Sequence, residues 1–169
     1  ETFDDNVENT ILDSFERYPM ADLIAFSLIR KDLKTKKVYP TSHRLLKFRQ
    51  IMNTSSLQLA FKISSVKAYG VQFDVKMGSG TGNGGGEENK FMLDMRQAGA
   101  SMHYSPECIA TVNPGESQWF KGYTPTHLQN IGWSSRRSMG AFTGFAYINY
   151  WVLTHRRFYG SDISPLKAY

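Results

Sequence analysis

Gly80-Thr81-Gly82-Asn83-Gly84-Gly85 has the GxGxxG spacing of a dinucleotide-binding turn, in which glycines bring backbone N–H groups up to a pyrophosphate. Six of the nine residues from Gly78 to Gly86 are glycine. The chemistry needs a strand before the turn and an amphipathic helix after it, with an acid about 20 residues on. A strand is expected here, but the next segment opens with Glu87 and Glu88, which repel phosphate, and breaks at Gly99. No Gly-Lys-Ser/Thr follows, so a P-loop is excluded as well. The expectation is an exposed, mobile loop between two strands.

Other reactive side chains are scattered. His43, His103, His127 and His155 form no HxxxH or HxH pair, the spacing that would bring two imidazoles to one metal. Cys108 is the single cysteine, which excludes an internal disulfide and a cysteine zinc site. A Cys108–His103 pair would suit nucleophilic catalysis, but residues five apart on a strand face opposite sides. No GxSxG elbow occurs, and Asp94, Glu107, Glu116 and Asp162 have no partner at a telling spacing. Asn53-Thr54-Ser55 fits a glycosylation sequon by chance alone. Neither a cofactor nor a metal site is expected, and no enzyme activity.

Charge is more informative. The chain carries 20 Lys+Arg against 15 Asp+Glu, a formal net charge of +5. Acids dominate residues 1–29, from Glu1 to Asp22. Residues 30–49 then hold Arg30, Lys31, Lys34, Lys36, Lys37, Arg44, Lys47 and Arg49 against Asp32 alone. Such a block points to a polyanion or an acidic partner. Arg136-Arg137 and Arg156-Arg157 add two basic pairs. With no base-reading motif visible, contact with phosphate fits better than sequence readout. No apolar run approaches 18 residues, so no membrane span is expected. No leader is visible before the acidic start.

The elements that must position these groups read mostly as strands. Val7, Ile11, Leu12 and Phe15 share a helical face that ends near Tyr18-Pro19. Leu23 to Ile29 reads as a strand. From Leu57 to Met77 the odd positions are apolar except Ser65 and Lys67, a period of two that predicts half-buried β structure. As one strand it would span roughly 70 Å, so a bend near those two residues is expected. Phe91–Met95 alternates again, Cys108–Val112 is a further strand, and the apolar run from Phe145 to Leu153 reads as a central strand covered on both faces. These readings predict an all-β fold, an antiparallel β-sandwich with a short N-terminal helix.

Three segments together, "DLIAFSLIRKDL", "LLKFRQIMNTSSLQLAFKISSVKAYGVQF" and "GAFTGFAYINYWVLTHRRF", give a layout that resembles the single jelly-roll coat proteins of small icosahedral viruses, namely circovirus-like single-stranded DNA viruses and satellite viruses. Phe61, Lys62, Ile63, Val66 and Lys67 stand at the matching places, and Arg156-Arg157 closes the last run as in those coats. The resemblance implies an arm over residues 1–20, a jelly roll over 21–160 and a tail over 161–169. It implies a capsid subunit, found in the virion and in host cytoplasm or nucleus during assembly, with copies of itself and a single-stranded DNA or RNA genome as partners and no membrane insertion. Genome phosphate would meet the eight bases of the 30–49 block, with Lys62 and Lys67 in support. Those coats begin with an arginine-rich arm, whereas this chain begins acidic. A carbohydrate- or protein-binding sandwich, using Trp119, Trp133 or Tyr123 as a stacking platform, is the alternative reading.

Overall fold

The computed structural model describes residues 2–31, 38–78, 80–113 and 123–156. Lys34, Lys36, Lys37, Trp119 and Arg157 lie outside them. The fold is mixed α/β, so the expectation of an all-β sandwich or jelly roll is overturned. The chain divides into two compact units, residues 1–72 with 94–116, and residues 73–93 with 117–169.

The first unit is built on one five-stranded sheet. Its strands are β1 (Thr2–Phe3), β2 (Leu23–Arg30), β3 (Arg44–Leu45), β4 (Leu59–Phe61) and β5 (Met102–Val112). β2 is central, antiparallel to β4 on one side and parallel to β5 on the other. The far edge of β5 takes β3 near Tyr104 and β1 near Ala110. β2 is buried from Leu23 to Leu28, as a strand covered on both faces must be. Ile24, Phe26 and Leu28 meet Ile109 and Ala110 in the core. Helix α1 (Val7–Arg17) lays Val7, Ile11 and Phe15 against that cluster, the face that its 3.6-residue spacing specifies.

The parallel ladder is irregular in one place. Ala25 pairs with Tyr104, yet Ser27 pairs with Cys108, so β5 carries extra residues there. Pro106 lies in that bulge, where the missing N–H costs no ladder bond. Ser27 Oγ donates to the Pro106 and Glu107 carbonyls at 2.8 and 3.1 Å, capturing groups that the bulge frees.

The segment from Leu57 to Met77 is not the long strand that its alternation predicts. A 3-10 turn (Ser56–Gln58) runs into the three residues of β4, and α3 (Ile63–Tyr69) follows after α2 (Phe48–Ile51) earlier in the chain. Gly70 ends α3 at φ +65°. Phe91–Met95 lies in helix α4 (Glu87–Gln97), whose last turn belongs to the first unit.

The second unit is dominated by α5 (Pro125–His155). Thr124 caps it, its side chain accepting from the His127 amide at 3.2 Å, and Pro125 supplies the first turn. Gly140, at φ 79° and ψ 175°, breaks the helix into two arms. Leu128 shares a buried cluster with Ile148 and Val152. In a straight helix Leu128 and Val152 would lie about 36 Å apart, so the arms fold back on each other. Where they cross, a Cβ on Gly144 would come within 2.7 Å of Arg136 Cα. Phe145 to Leu153 is therefore helical, not the central strand expected from its apolar run. The glycine stretch also departs from the expected slack loop. Ser134 Oγ donates to the Gly85 carbonyl at 2.8 Å, and a Cβ on Gly84 would meet Ser134 at 2.5 Å and the Asn130 carbonyl at 2.7 Å. Arg137 anchors the preceding loop with two bonds to the Asp74 carboxylate at 2.7 and 3.0 Å. That charge-assisted pairing holds Asp74 below the usual carboxylate range.

Close helix contact at Gly144 is a specific constraint. Gly144→Ala should force the arms apart and lower stability by about 1–3 kcal/mol. Ala146→Ser, on the exposed side of the same arm, should change it by less than about 0.5 kcal/mol. Urea unfolding followed by tryptophan fluorescence distinguishes the two.

Candidate functional site

The densest set of reactive side chains lies in the first unit, at the end of β5 that carries β3. Antiparallel pairing sets Leu45 opposite His103 and Arg44 opposite Tyr104. His43, just before β3, thereby reaches His103, and His43 Nε2 lies 3.0 Å from His103 Nδ1. The other nitrogen of His103, Nε2, lies 2.9 Å from Ser101 Oγ. Tyr18, at the end of α1, stacks on His43 with ring centroids 3.4 Å apart and planes 6° from parallel.

Asp22 completes the cluster from β2's leading end. Its Oδ2 accepts from the Ser101 amide at 2.8 Å and from Tyr69 Oη at 3.2 Å, and its Oδ1 accepts from Ser65 Oγ at 2.6 Å. Burial pushes the Asp22 carboxyl up, but bonds from Ser65, Ser101 and Tyr69, with the charge of Lys62, outweigh it and leave the group below its usual value.

Burial is also the first cause that lowers both imidazoles. For His43 the neighbouring His103 lowers it further, and Arg17 does the same, while Glu107 opposes them. For His103 the Asp22 charge opposes the burial. The N···N contact sets a stricter limit. It needs one proton between two nitrogens, so either ring donates and the other accepts. One imidazolium fits this pattern. Two place protons on both nitrogens and break the contact.

Ser101, His103 and His43 have the connectivity of a nucleophile, its base and an orienting group. Acyl transfer also needs N–H donors aimed at a developing oxyanion. The Ser101 amide, a donor that many such sites use, is committed to Asp22. The arrangement holds one shared proton between the two imidazoles, with the Ser101 amide engaged by Asp22. Cys108 is not part of it, since its Sγ donates to the Ala110 carbonyl at 3.4 Å. No group of three metal-ligating side chains occurs among the described residues. An open groove of about 440 Å³ lined by Gly70, Val71, Gln72, Asp94, Gln97 and Ala98 offers one carboxylate and no base.

The imidazole pair adjoins the expected phosphate-binding residues. Arg44, Lys47 and Arg49 are exposed on β3 and α2, within six residues of chain. Leu46 and Ile51 are buried beneath them, the Leu46 amide donating to the Met102 carbonyl at 2.9 Å. Arg44 leans on the Ser42 hydroxyl at 3.1 Å. None of the three forms an ion pair with a described carboxylate. Phe48, between Lys47 and Arg49, is 38% exposed.

The rest of the predicted set is dispersed. Arg30 and Lys31 lie at the opposite end of β5, where Arg30 pairs with Val112, roughly 25 Å of strand away from Tyr104. Lys62 is half-buried, its Nζ donating to the Pro19 carbonyl at 2.6 Å and lying 5.4 Å from the Phe15 ring centre. Lys67 is exposed in the last turn of α3. Trp133, named for ligand stacking, lies on α5 with the Arg137 guanidinium 5.7 Å from its ring centre. Neither the His43–His103 contact nor the Asp22 cluster is visible in sequence spacing. The first spans 60 residues and the second 79.

No family model matches this sequence, and no curated protein is similar to it.

The imidazole pair makes the first unit sensitive to acid. Folding lowers both pKa values, so the unfolded chain binds protons first, near pH 6.5. Their stabilising contribution is complete above that pH and is lost as pH falls through the folded values. His43→Gln with His103→Gln should flatten the drop in urea midpoint between pH 7 and 5. An unchanged drop would mean that the pair does not titrate as described.

Proposed function

We propose that this protein binds nucleic-acid phosphate without reading sequence, through the edge formed by Arg44, Lys47 and Arg49. One observation carries the reading: three cations lie exposed within six residues, with no described carboxylate paired to them. Unpaired exposed cations release counterions from a phosphate polymer on binding, which supplies affinity independent of sequence. The flanking Phe48 suits this ligand, because an aromatic ring stacks on any base. The imidazole pair next to β3 has room for one further positive charge as pH falls.

The coat-protein reading leads to the same ligand by another route. Its sandwich is not the fold, and its defining segments are helical or short here. Phosphate contact requires no sandwich, only accessible charge held on a firm base. Leu46 and Ile51 provide that base. Assembly of many copies along the polymer belongs to the same proposal, and the parallel between copies of a basic protein and a long polyanion supports it, since each copy neutralises phosphate for its neighbours.

Fluorescence anisotropy with mixed-sequence single-stranded oligonucleotides tests the edge. Each phosphate contact contributes about 0.7 to the slope of log affinity against log salt. Arg44→Gln, Lys47→Gln and Arg49→Gln together should reduce that slope by about 2. The loss should be equal for unrelated sequences. A triple variant that binds like the parent sinks the assignment, and sedimentation of parent and oligonucleotide together reports whether copies assemble.

A further inference from the structure

The edge strand β3 is held to β5 by few bonds, and one of them carries protons. β3 is two residues, both exposed, with Arg44 paired to Tyr104 and Leu45 to His103. On either side of the ladder, Tyr104 Oη donates to the Pro40 carbonyl at 3.0 Å and the Leu46 amide donates to the Met102 carbonyl at 2.9 Å. Between these two bonds His43 Nε2 meets His103 Nδ1 at 3.0 Å. The rings stand on unequal supports. His103 pairs with Ile24 of the buried central strand, and its Nε2 lies 2.9 Å from Ser101 Oγ. His43 stands in the chain that leads into β3, with Tyr18 stacked on it.

We infer that the His43–His103 contact is a proton-operated latch, which holds β3 on β5 while the rings share at most one proton and releases β3 when each ring carries its own. Valence sets the limit. An imidazolium donates from both nitrogens and accepts at neither. Two of them set N–H against N–H across 3.0 Å, which removes the hydrogen bond and adds repulsion between like charges.

The surrounding charges do not cancel this. On His43, Glu107 from β5 draws a proton in and Arg17 from α1 resists it, and Arg17 also holds Glu107 Oε1 at 2.9 Å. On His103, Asp22 from the leading end of β2 draws a proton in, but its oxygens accept from Ser65, Tyr69 and the Ser101 amide. Among the described residues, no acid accepts from either of the two facing nitrogens. Arg44, the next residue after His43, bonds to the Ser42 hydroxyl at 3.1 Å. Tyr104, pushed up to about 12 by burial, stays protonated throughout. Where the basic edge binds phosphate, the latch regulates it: release frees Arg44, while the buried Ile51 keeps α2 seated. That role rests on the phosphate reading; the latch itself does not.

Exchange of the Leu46 amide in the full chain tests the latch, followed by NMR from about pH 7 to about pH 4.5 and corrected for the intrinsic pH dependence of exchange. Below about pH 6.5 the released segment holds at least one proton more than the latched one, so Leu46 opening should rise by about tenfold or more per pH unit. Amides of β2 should change less over the same range. His103→Gln leaves one imidazole and should lose most of this slope. His43→Gln, made separately, should do the same, which covers a variant that fails to fold. The measurement contains no oligonucleotide, so its outcome is independent of whether the edge binds phosphate. Three results would overturn the inference. One is Leu46 opening that does not change with pH in the parent, where the rings turn without moving the strand. Another is the full slope persisting in both variants. The third is a rise at Leu46 no larger than that in β2, which is opening of the whole unit.

Discussion

The Asp22 carboxylate joins more of the first unit than any contact of larger area. It accepts from Ser65 and Tyr69 on α3 and from the amide of Ser101 at the start of β5. Its own amide donates to the Ser101 carbonyl at 2.8 Å, and its carbonyl accepts from the Lys62 amide at 2.9 Å. One residue therefore sets where β2, β5 and the β4–α3 corner begin relative to each other. Polar groups at a strand end must find partners or lose a comparable hydrogen bond to burial. Here a single charged acceptor satisfies several of them.

From that anchor the rest of the sheet follows by register. β2 and β5 start together at Leu23 and Met102 and run parallel, which requires a long crossover between them. The crossover contains β3, β4, α3 and the start of the second unit. The bulge at Pro106 then shifts the later pairs so that Leu28 meets Ala110. This shift brings Ile109 and Ala110 into the cluster with Phe26 and Leu28, under the face of α1. The other end of β5, before the bulge, is free to receive β3 and with it His43.

Legibility varied with how uniquely a pattern fits one element. Val7, Ile11 and Phe15 fit only a helix, and Leu23 to Ile29 is bounded, short and β-branched enough to fit a strand. The alternation from Leu57 to Met77 was misleading because apolar residues at every second position also recur at every fourth. Beyond β4, Ile63, Val66 and Tyr69 recur three apart, the spacing of one helix face. Gly70, at φ +65°, marks the helix end. The run from Phe145 to Leu153 is apolar on both faces of a strand, where periodicity cannot separate a buried strand from a buried helix segment, and its nine residues do not decide by length. The exposed cations were legible as a block, but their separation into two ends of β5 depends on strand pairing. The imidazole contact depends on it too, since nothing local links His43 to His103.

The two ionisable parts of the first unit weaken at different acidities. Asp22 is held below its ordinary value, so its contribution is lost only as pH falls through that lowered value. The imidazoles are held below theirs, so their contribution declines from about pH 6.5 downward. A second proton on the pair cannot be accommodated while His43 Nε2 and His103 Nδ1 face each other. Tyr18 stacking and the short β3 ladder hold His43 in place, and both are weaker than the buried β2–β5 pairing. Repulsion between two imidazolium rings therefore acts on β3, not on the central strands. The segment that carries Arg44, Lys47 and Arg49 begins at that same strand. Its position, and with it the alignment of the basic edge, is the part of the sheet most directly tied to proton concentration.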